Sequence, residues 1–249
     1  MKNLDNMPMG KKYEVFDNAE KLAEDLAGRL NDAVNQQKEN YCLAISGGST
    51  PIIFFKRLAE EPFKSEIEWN RVHFFWCDER CVPPDNSESN FGMTKTDLFD
   101  KIKIPSENIH RIKGESDPKE ETFRYVNEIE DLVPKGKNSL PQFDWVMLGM
   151  GEDGHTASLF PNKELLFTYS NIAGIAQHPQ TGQNRISLTF DVLNNAKRIT
   201  FVVTGKKKAK ILAEILKGQP SSKIYPSAQI KPIDGTIDWL VDKEAAFYL

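Results

Sequence analysis

One histidine in this chain stands where chemistry could be done. His155 follows Gly149, Gly151 and Gly154 and sits beside the acids Glu152 and Asp153. An imidazole moves protons near neutral pH, and glycines let a substrate approach the backbone closely. The run before them, FDWVML at 143–148, is apolar and bounded by turn residues, as expected of a strand covered on both faces. A buried strand that breaks into glycines, a carboxylate and a histidine is how open α/β sheets deliver reactive groups to a crevice at their strand ends. The other histidines offer less. His73 lies inside a strand pattern and reads as a packed residue, while His110 and His178 fall in segments without neighbouring chemical groups.

Three further constellations carry possible chemistry. Ser46-Gly47-Gly48-Ser49-Thr50-Pro51 joins an apolar strand to a helix. Backbone N–H groups and the dipole at a helix start attract anions, and Pro51 suits a first helical turn. No lysine follows the glycines, so this is not a nucleotide P-loop; it reads as a phosphate cradle, or else as a plain serine-capped turn. Asp78, Glu79 and Arg80 end another strand, where charges are expensive unless paired together or facing a cleft. Lys206, Lys207 and Lys208 open a late helix, where cations are disfavoured unless solvated or bound to an anion. One apparent motif misleads: 149–154 fits the dinucleotide pattern G-x-G-x-x-G, but Pro161 cuts short the helix that motif needs and no acid ends the next apolar piece.

The elements that must position these groups follow from periodicity. A short edge strand over 13–16 precedes a helix over 19–36, capped by Asn18, with Leu22, Leu26, Leu30 and Val34 on one face. Strands are expected over 41–45, 71–76, 109–112, 143–148, 185–189 and 198–203. Helices are expected over 52–59, 88–99, 119–132 and 207–216, with a short one capped by Asp191. The alternation predicts an α/β fold with a mainly parallel sheet flanked by helices. The tail from 224 reads as prolines and a glycine, then an apolar close.

Composition excludes several classes. With 249 residues, 39% hydrophobic and 27% charged, the chain suits one large α/β domain, with residues 1–12 a loose extension. A net charge of −4 gives no global basic field for nucleic acid or an anionic membrane. Neither a signal-length apolar core nor a membrane-length run is present, and Cys42, Cys77 and Cys81 form no disulfide or zinc framework. These features point to a cytoplasmic protein.

Five segments together resemble the family of 6-phosphogluconolactonases and glucosamine-6-phosphate deaminases. They are SGGSTP at 46–51, WCDERCVPPDNSESNFGM at 76–93, GMGEDGHTASLFP at 149–161, RISLT at 185–189 and GKKKA at 205–209. The resemblance implies a single modified Rossmann-like α/β domain over 1–249, working as a monomer or small homo-oligomer on a phosphorylated sugar lactone. It implies no metal and no organic cofactor. The reaction would be hydrolysis of 6-phospho-D-glucono-1,5-lactone to 6-phosphogluconate, the second step of the oxidative pentose phosphate pathway. By the same resemblance His155 is the general base, and the phosphate sits against Gly47, Gly48, Ser49 and Thr50. Arg80, Arg185 and Lys208 supply positive charge, and Gly151 adjoins the substrate. Asp78 and Asp153 line the site, with Asp78 the expected partner of water or of His155. Backbone N–H groups near 149–154, or Arg80, are candidate oxyanion donors.

Two rivals are set against this reading. The deaminase pattern carries a catalytic glutamate after the shared Gly-x-Asp-Gly-His, where this chain has Ser158-Leu159-Phe160, and a tyrosine where it has Arg80. A non-catalytic sugar-phosphate sensor of the same fold would be expected to carry a basic DNA-binding module, for which this chain leaves little room.

Overall fold

The computed structural model describes residues 12–249, apart from the side chain of Ser49. Most of the expected N-terminal extension, and the Ser49 hydroxyl, therefore lie outside the described residues. Two sheets are formed. The first contains β1 (Tyr13–Phe16), β2 (Tyr41–Ile45), β3 (Val72–Trp76), β5 (Ile109–His110), β6 (Trp145–Leu148), β10 (Arg198–Val203) and β11 (Thr236–Asp242). Its order is β1-β11-β10-β6-β2-β3-β5, and every pairing is parallel. The second contains β4 (Asp78–Arg80), β7 (Phe167–Tyr169), β8 (Ala173–Gln177) and β9 (Asn184–Leu188), antiparallel in the order β4-β9-β8-β7.

The reasons are local. All residues of β2 and β6 are buried, as the continuous apolar runs require of strands covered on both faces. The helix Ala19–Gln36 packs Leu22, Leu26, Leu30 and Val34 inward, and its Asn18 cap accepts the Lys21 N–H at 2.9 Å. One contiguous buried cluster runs from this helix through the parallel sheet to Ala173, Ile186 and Leu188 of the antiparallel one. The sheet reverses its winding direction between β2 and β6, so a crevice opens beside the adjacent carboxyl ends of those strands.

Several expectations are corrected. Residues 78–80 are a strand rather than a strand end, because they pair with β9. The helix after the glycine turn starts at Ser49, not at residue 52. The expected 88–99 helix is split into Asn90–Thr94 and a wider π-turn over Lys95–Phe99. Thr189, not Asp191, holds the cap position of the Phe190–Asn194 helix. Lys206–Lys208 form a 3₁₀ turn before the helix Ala209–Leu216, and the final apolar stretch is β11, an interior strand. His110 is not isolated: its Nε2 lies 2.9 Å from His73 Nδ1, and its Nδ1 lies 2.9 Å from Glu128 Oε1. The dinucleotide reading also fails in the fold, because 152–160 forms turns and no helix follows Gly154.

Candidate active site

Four neighbouring parallel strands, in the order β10-β6-β2-β3, each release a loop at the same edge of the sheet. From β2 comes the 46–48 turn, from β6 the 149–155 loop, from β3 the Asp78–Arg80 strand and from β10 the 204–208 turn. These segments enclose a cleft with about 760 Å³ of empty space, part of it open to solvent. His155, Asp78, Arg80, Arg185 and Lys208 all line it, as do Gly47, Gly48, Thr50 and Gly151. So the sequence-derived candidates, 30 to 160 residues apart in places, converge on one crevice.

Asp153 does not line the cleft but holds the histidine that does. His155 Nδ1 is 2.6 Å from Asp153 Oδ1, and the same oxygen accepts the His155 backbone N–H at 3.1 Å. Burial raises the Asp153 pKa, but the hydrogen bond and charge of His155 outweigh it and hold the carboxyl below its usual range. An ionised carboxylate only accepts, so Nδ1 carries the proton and Nε2 keeps a free lone pair. Gly151 makes this fold-back feasible. A Cβ at that position would stand 2.2 Å from the imidazole and 2.8 Å from Asp153 Oδ1. Phe160 packs beside the ring, 5.0 Å between centroids and tilted by 51°.

Of the two partners expected for Asp78, water and the imidazole, the imidazole is taken by Asp153. Asp78 is buried, and its Oδ2 accepts the Ser158 hydroxyl at 2.7 Å, so it does not orient the imidazole. Arg80 pairs with neither Asp78 nor Glu79; its guanidinium donates to the Glu88 carbonyl. Glu79 is instead an internal staple. It accepts the N–H groups of Arg80, Asn90 and Phe91, each at 2.8 Å, and the Ser89 hydroxyl at 3.1 Å. Burial pushes its carboxyl up, and these bonds offset that only in part.

The cleft is short of negative charge where it most needs it. Arg80 and Arg185 stand directly opposite one another across β4 and β9, a like-charge pairing that destabilises a bare sheet. Arg185 is 9% exposed, its Nε has no hydrogen-bond partner, and it makes no ion pair among the described residues. Burial pulls its pKa down, and burial likewise lowers Lys208, whose ammonium also lacks an ion pair among the described residues. An unpaired buried cation such as Arg185 is costly, and an anion in the cleft would relieve it together with the half-buried Arg80 and Lys208. The start of the Ser49–Leu58 helix opens onto the same space. The Thr50 hydroxyl is bonded to that of Thr204 at 2.7 Å, and when Thr204 donates, the Thr50 O–H stays available to the cleft.

Two residues were underrated from sequence. Asn90 lines the cleft and is 1% exposed; its sequence signals were its place after Ser89 at an expected helix start and within the 76–93 segment of the family resemblance. His178 is not away from chemical groups, because it meets Phe160 edge-on at 5.3 Å, beside the ring that touches His155. Burial, and then the charges of Arg185 and His155, lower its pKa. Among the described residues no group of three His, Cys, Asp or Glu could hold a metal, and no helix is long and apolar enough to cross a membrane.

A parallel sheet with a switch-point crevice, a histidine–carboxylate pair and cations without an ion pair among the described residues place the chain among α/β enzymes. More narrowly, the chain belongs to the family of glucosamine-6-phosphate isomerases/6-phosphogluconolactonase, whose model matches residues 16–239. It is 48% identical over 203 residues to the 6-phosphogluconolactonase of Haemophilus influenzae, covering 82% of this chain and 85% of that one. Among solved structures, that of the devB protein matches with a TM-score of 0.89 at 40% identity over 96% of this chain and 99% of the other. The 6-phosphogluconolactonase from Thermotoga maritima matches with a TM-score of 0.76 at 29% identity, covering 94% and 100%.

Proposed function

We propose that the chain hydrolyses 6-phospho-D-glucono-1,5-lactone to 6-phosphogluconate, with His155 as general base. The observation that carries this reading is the meeting of the Asp153-held imidazole and the unpaired cations Arg185 and Lys208 on one cleft. The phosphate takes the cationic side, with Arg80, Arg185, Lys208 and the helix start at Ser49. Anchoring it aligns the distant C1 carbonyl with His155, so binding energy is used for orientation. Water then gives a proton to His155 Nε2 as its oxygen bonds to C1. The tetrahedral oxyanion collapses, the bond from C1 to the ring oxygen breaks, and the imidazolium returns its proton to that oxygen. Asp153 stabilises the imidazolium in between. The N–H groups of Gly151 and Gly154 are used inside their own loop, so neither serves as the oxyanion donor, and Arg80 is kept for the phosphate. Phe160, where the deaminase pattern carries glutamate, lies against the His155 ring at 5.0 Å between centroids and offers no acid–base group.

The test is initial-rate hydrolysis of freshly generated lactone, corrected for spontaneous opening, by the wild type and by His155→Ala. Fast wild-type turnover is expected, with a loss of roughly 10²–10⁴-fold in the variant, and a phosphate-free lactone should be much poorer. A wild type that does not accelerate the reaction overturns the proposal. An equally active His155→Ala removes His155 as base.

A further inference from the structure

The loop that carries His155 bonds largely to itself. The Gly151 N–H donates to the His155 carbonyl at 2.9 Å, the Gly154 N–H to the Gly151 carbonyl at 3.0 Å, and the Thr156 hydroxyl to the Gly149 carbonyl at 2.8 Å. Such bonds fix the shape of the loop but not its place in the cleft. A distant segment ties it outward. The carbonyl of Gly154, the residue before His155, accepts two hydrogen bonds from Ser227, one from its N–H at 3.1 Å and one from its hydroxyl at 2.8 Å. Ser227 is fully buried, so neither bond competes with solvent. Tyr225 adds a stop. Gly154 has a φ of +81°, and a Cβ there would be 2.7 Å from the Tyr225 ring, so glycine is required both for the left-handed backbone and for the close approach.

The same segment reaches the other side of the cleft. The Tyr225 hydroxyl donates to Glu214 Oε2 at 2.9 Å, an oxygen that also accepts the Ser221 hydroxyl at 2.9 Å. Glu214 belongs to the helix Ala209–Leu216, whose cap position is Lys208. A path of bonded and packed groups therefore runs from the general base to the cation, through Gly154, Ser227, Tyr225 and Glu214. The other link across this gap, Glu152 to Lys207 at 3.5 Å, joins two exposed side chains and is weak. We infer that Ser227 and Tyr225 are positioning residues, forming with Glu214 a strut that fixes the separation between His155 and Lys208. A phosphorylated lactone meets the protein at both ends, its phosphate at Lys208 and its C1 at His155, and a misplacement of 1 Å can cost about 10²-fold in rate. A lactone without phosphate has no anchor at Lys208 and gains nothing from the strut. The inference rests on the lactonase reading for the identity of the ligand; the strut itself is a property of the fold.

The experiment measures kcat and KM on the phosphorylated lactone and on its phosphate-free counterpart, for the wild type, Ser227→Ala and Tyr225→Phe, below their melting temperatures. Ser227→Ala should lower kcat on the phosphorylated lactone about tenfold with little change in KM, and slow the phosphate-free lactone far less. Tyr225→Phe keeps the ring on Gly154 but loses the bond to Glu214, and should shrink the same preference. Glu214→Gln, which still accepts from the Tyr225 hydroxyl, should retain the preference that Glu214→Ala loses. Equal slowing of the two lactones by Ser227→Ala and Tyr225→Phe, or no change in either, assigns these residues a purely structural role and overturns the inference. If Ser227→Ala does not fold, Tyr225→Phe and the two Glu214 variants decide it. Failure of the wild type to hydrolyse either lactone would count against the lactonase reading instead. The His155 imidazole resonance of the ligand-free protein, identified by its loss in His155→Ala, then decides the strut. It should move in Tyr225→Phe and in Glu214→Ala, and an unmoved resonance overturns the inference.

Discussion

Asp153 is positioned to set the tautomer of His155, and the consequence can be measured. In Asp153→Asn the amide can present an N–H to Nδ1, which stabilises the imidazole with its proton on Nε2 and takes away the lone pair that must accept from water. The expected loss in kcat is about 10²–10⁴-fold, with little change in melting temperature, because the carboxylate is half exposed. A kcat near that of the wild type would detach Asp153 from the mechanism. The pH dependence has a defined sign. The folded pKa of Asp153 lies below its ordinary 3.8, so the pair's contribution to stability is present above that value and lost as pH falls through the folded one. This much was legible in the sequence only in part. The residue types around His155 and Arg80 pointed to the site, and Arg185 and Lys208 entered only through the family resemblance, but two aspartates competed for His155. Spacing could not separate them, since the choice turned on a contact between Asp78 and Ser158, 80 positions apart. Nor could it show Asn90 buried beside the cleft, which is a property of packing alone.

At the scale of elements, Lys208 illustrates how a site can weaken the fold that carries it. It stands at the cap position of the Ala209–Leu216 helix, where the dipole opposes a cation, and burial lowers its pKa further. For a lysine depressed in the fold, the unfavourable contribution is fully present below the folded pKa and disappears as pH rises through it toward the ordinary 10.5. Stability should therefore rise on the alkaline side, while affinity for a phosphate ligand should fall over the same range. Lys208→Met is expected to raise the melting temperature of the ligand-free protein by a few degrees, at about 2–4 °C per kcal/mol, and to abolish that alkaline gain. It should also weaken 6-phosphogluconate binding by calorimetry. A lower melting temperature would mean that the ammonium is satisfied in the fold. The strands feeding this site differ in how readable they were. β2, β6 and β10 are buried throughout or nearly so and appear as unbroken apolar runs. β4 is a strand made of Asp, Glu and Arg, a composition accommodated by its pairing with β9, by the bonds that hold Asp78 and Glu79, and by the cleft beside Arg80.

At the scale of the whole molecule, the end of the chain is structural rather than terminal. β11 lies between β1 and β10, and Trp239 is fully buried and stacked on Phe201 at 3.9 Å. Its sequence, TIDWLVD, mixes charge with apolar residues and begins with exposed and half-buried positions, so it did not announce an interior strand. The last residue of β11 then reaches the active site from behind. Asp242 accepts the Gly205 N–H at 3.0 and 3.1 Å on its two oxygens and the Ala245 N–H at 2.7 Å. Gly205 begins the turn that carries Lys208, so the seam between β1, β11 and β10 also sets the position of a cation that lines the cleft. Two variants separate these roles. Trp239→Ala should destabilise by about 3–5 kcal/mol through the cavity it leaves, lowering the melting temperature by roughly 10 °C, with site affinity unchanged in the folded fraction. Asp242→Ala should lose less stability but bind 6-phosphogluconate more weakly, because the turn is released from its anchor. If Asp242→Ala melts earlier yet binds with wild-type affinity, the turn holds Lys208 in place without help from the C-terminal strand.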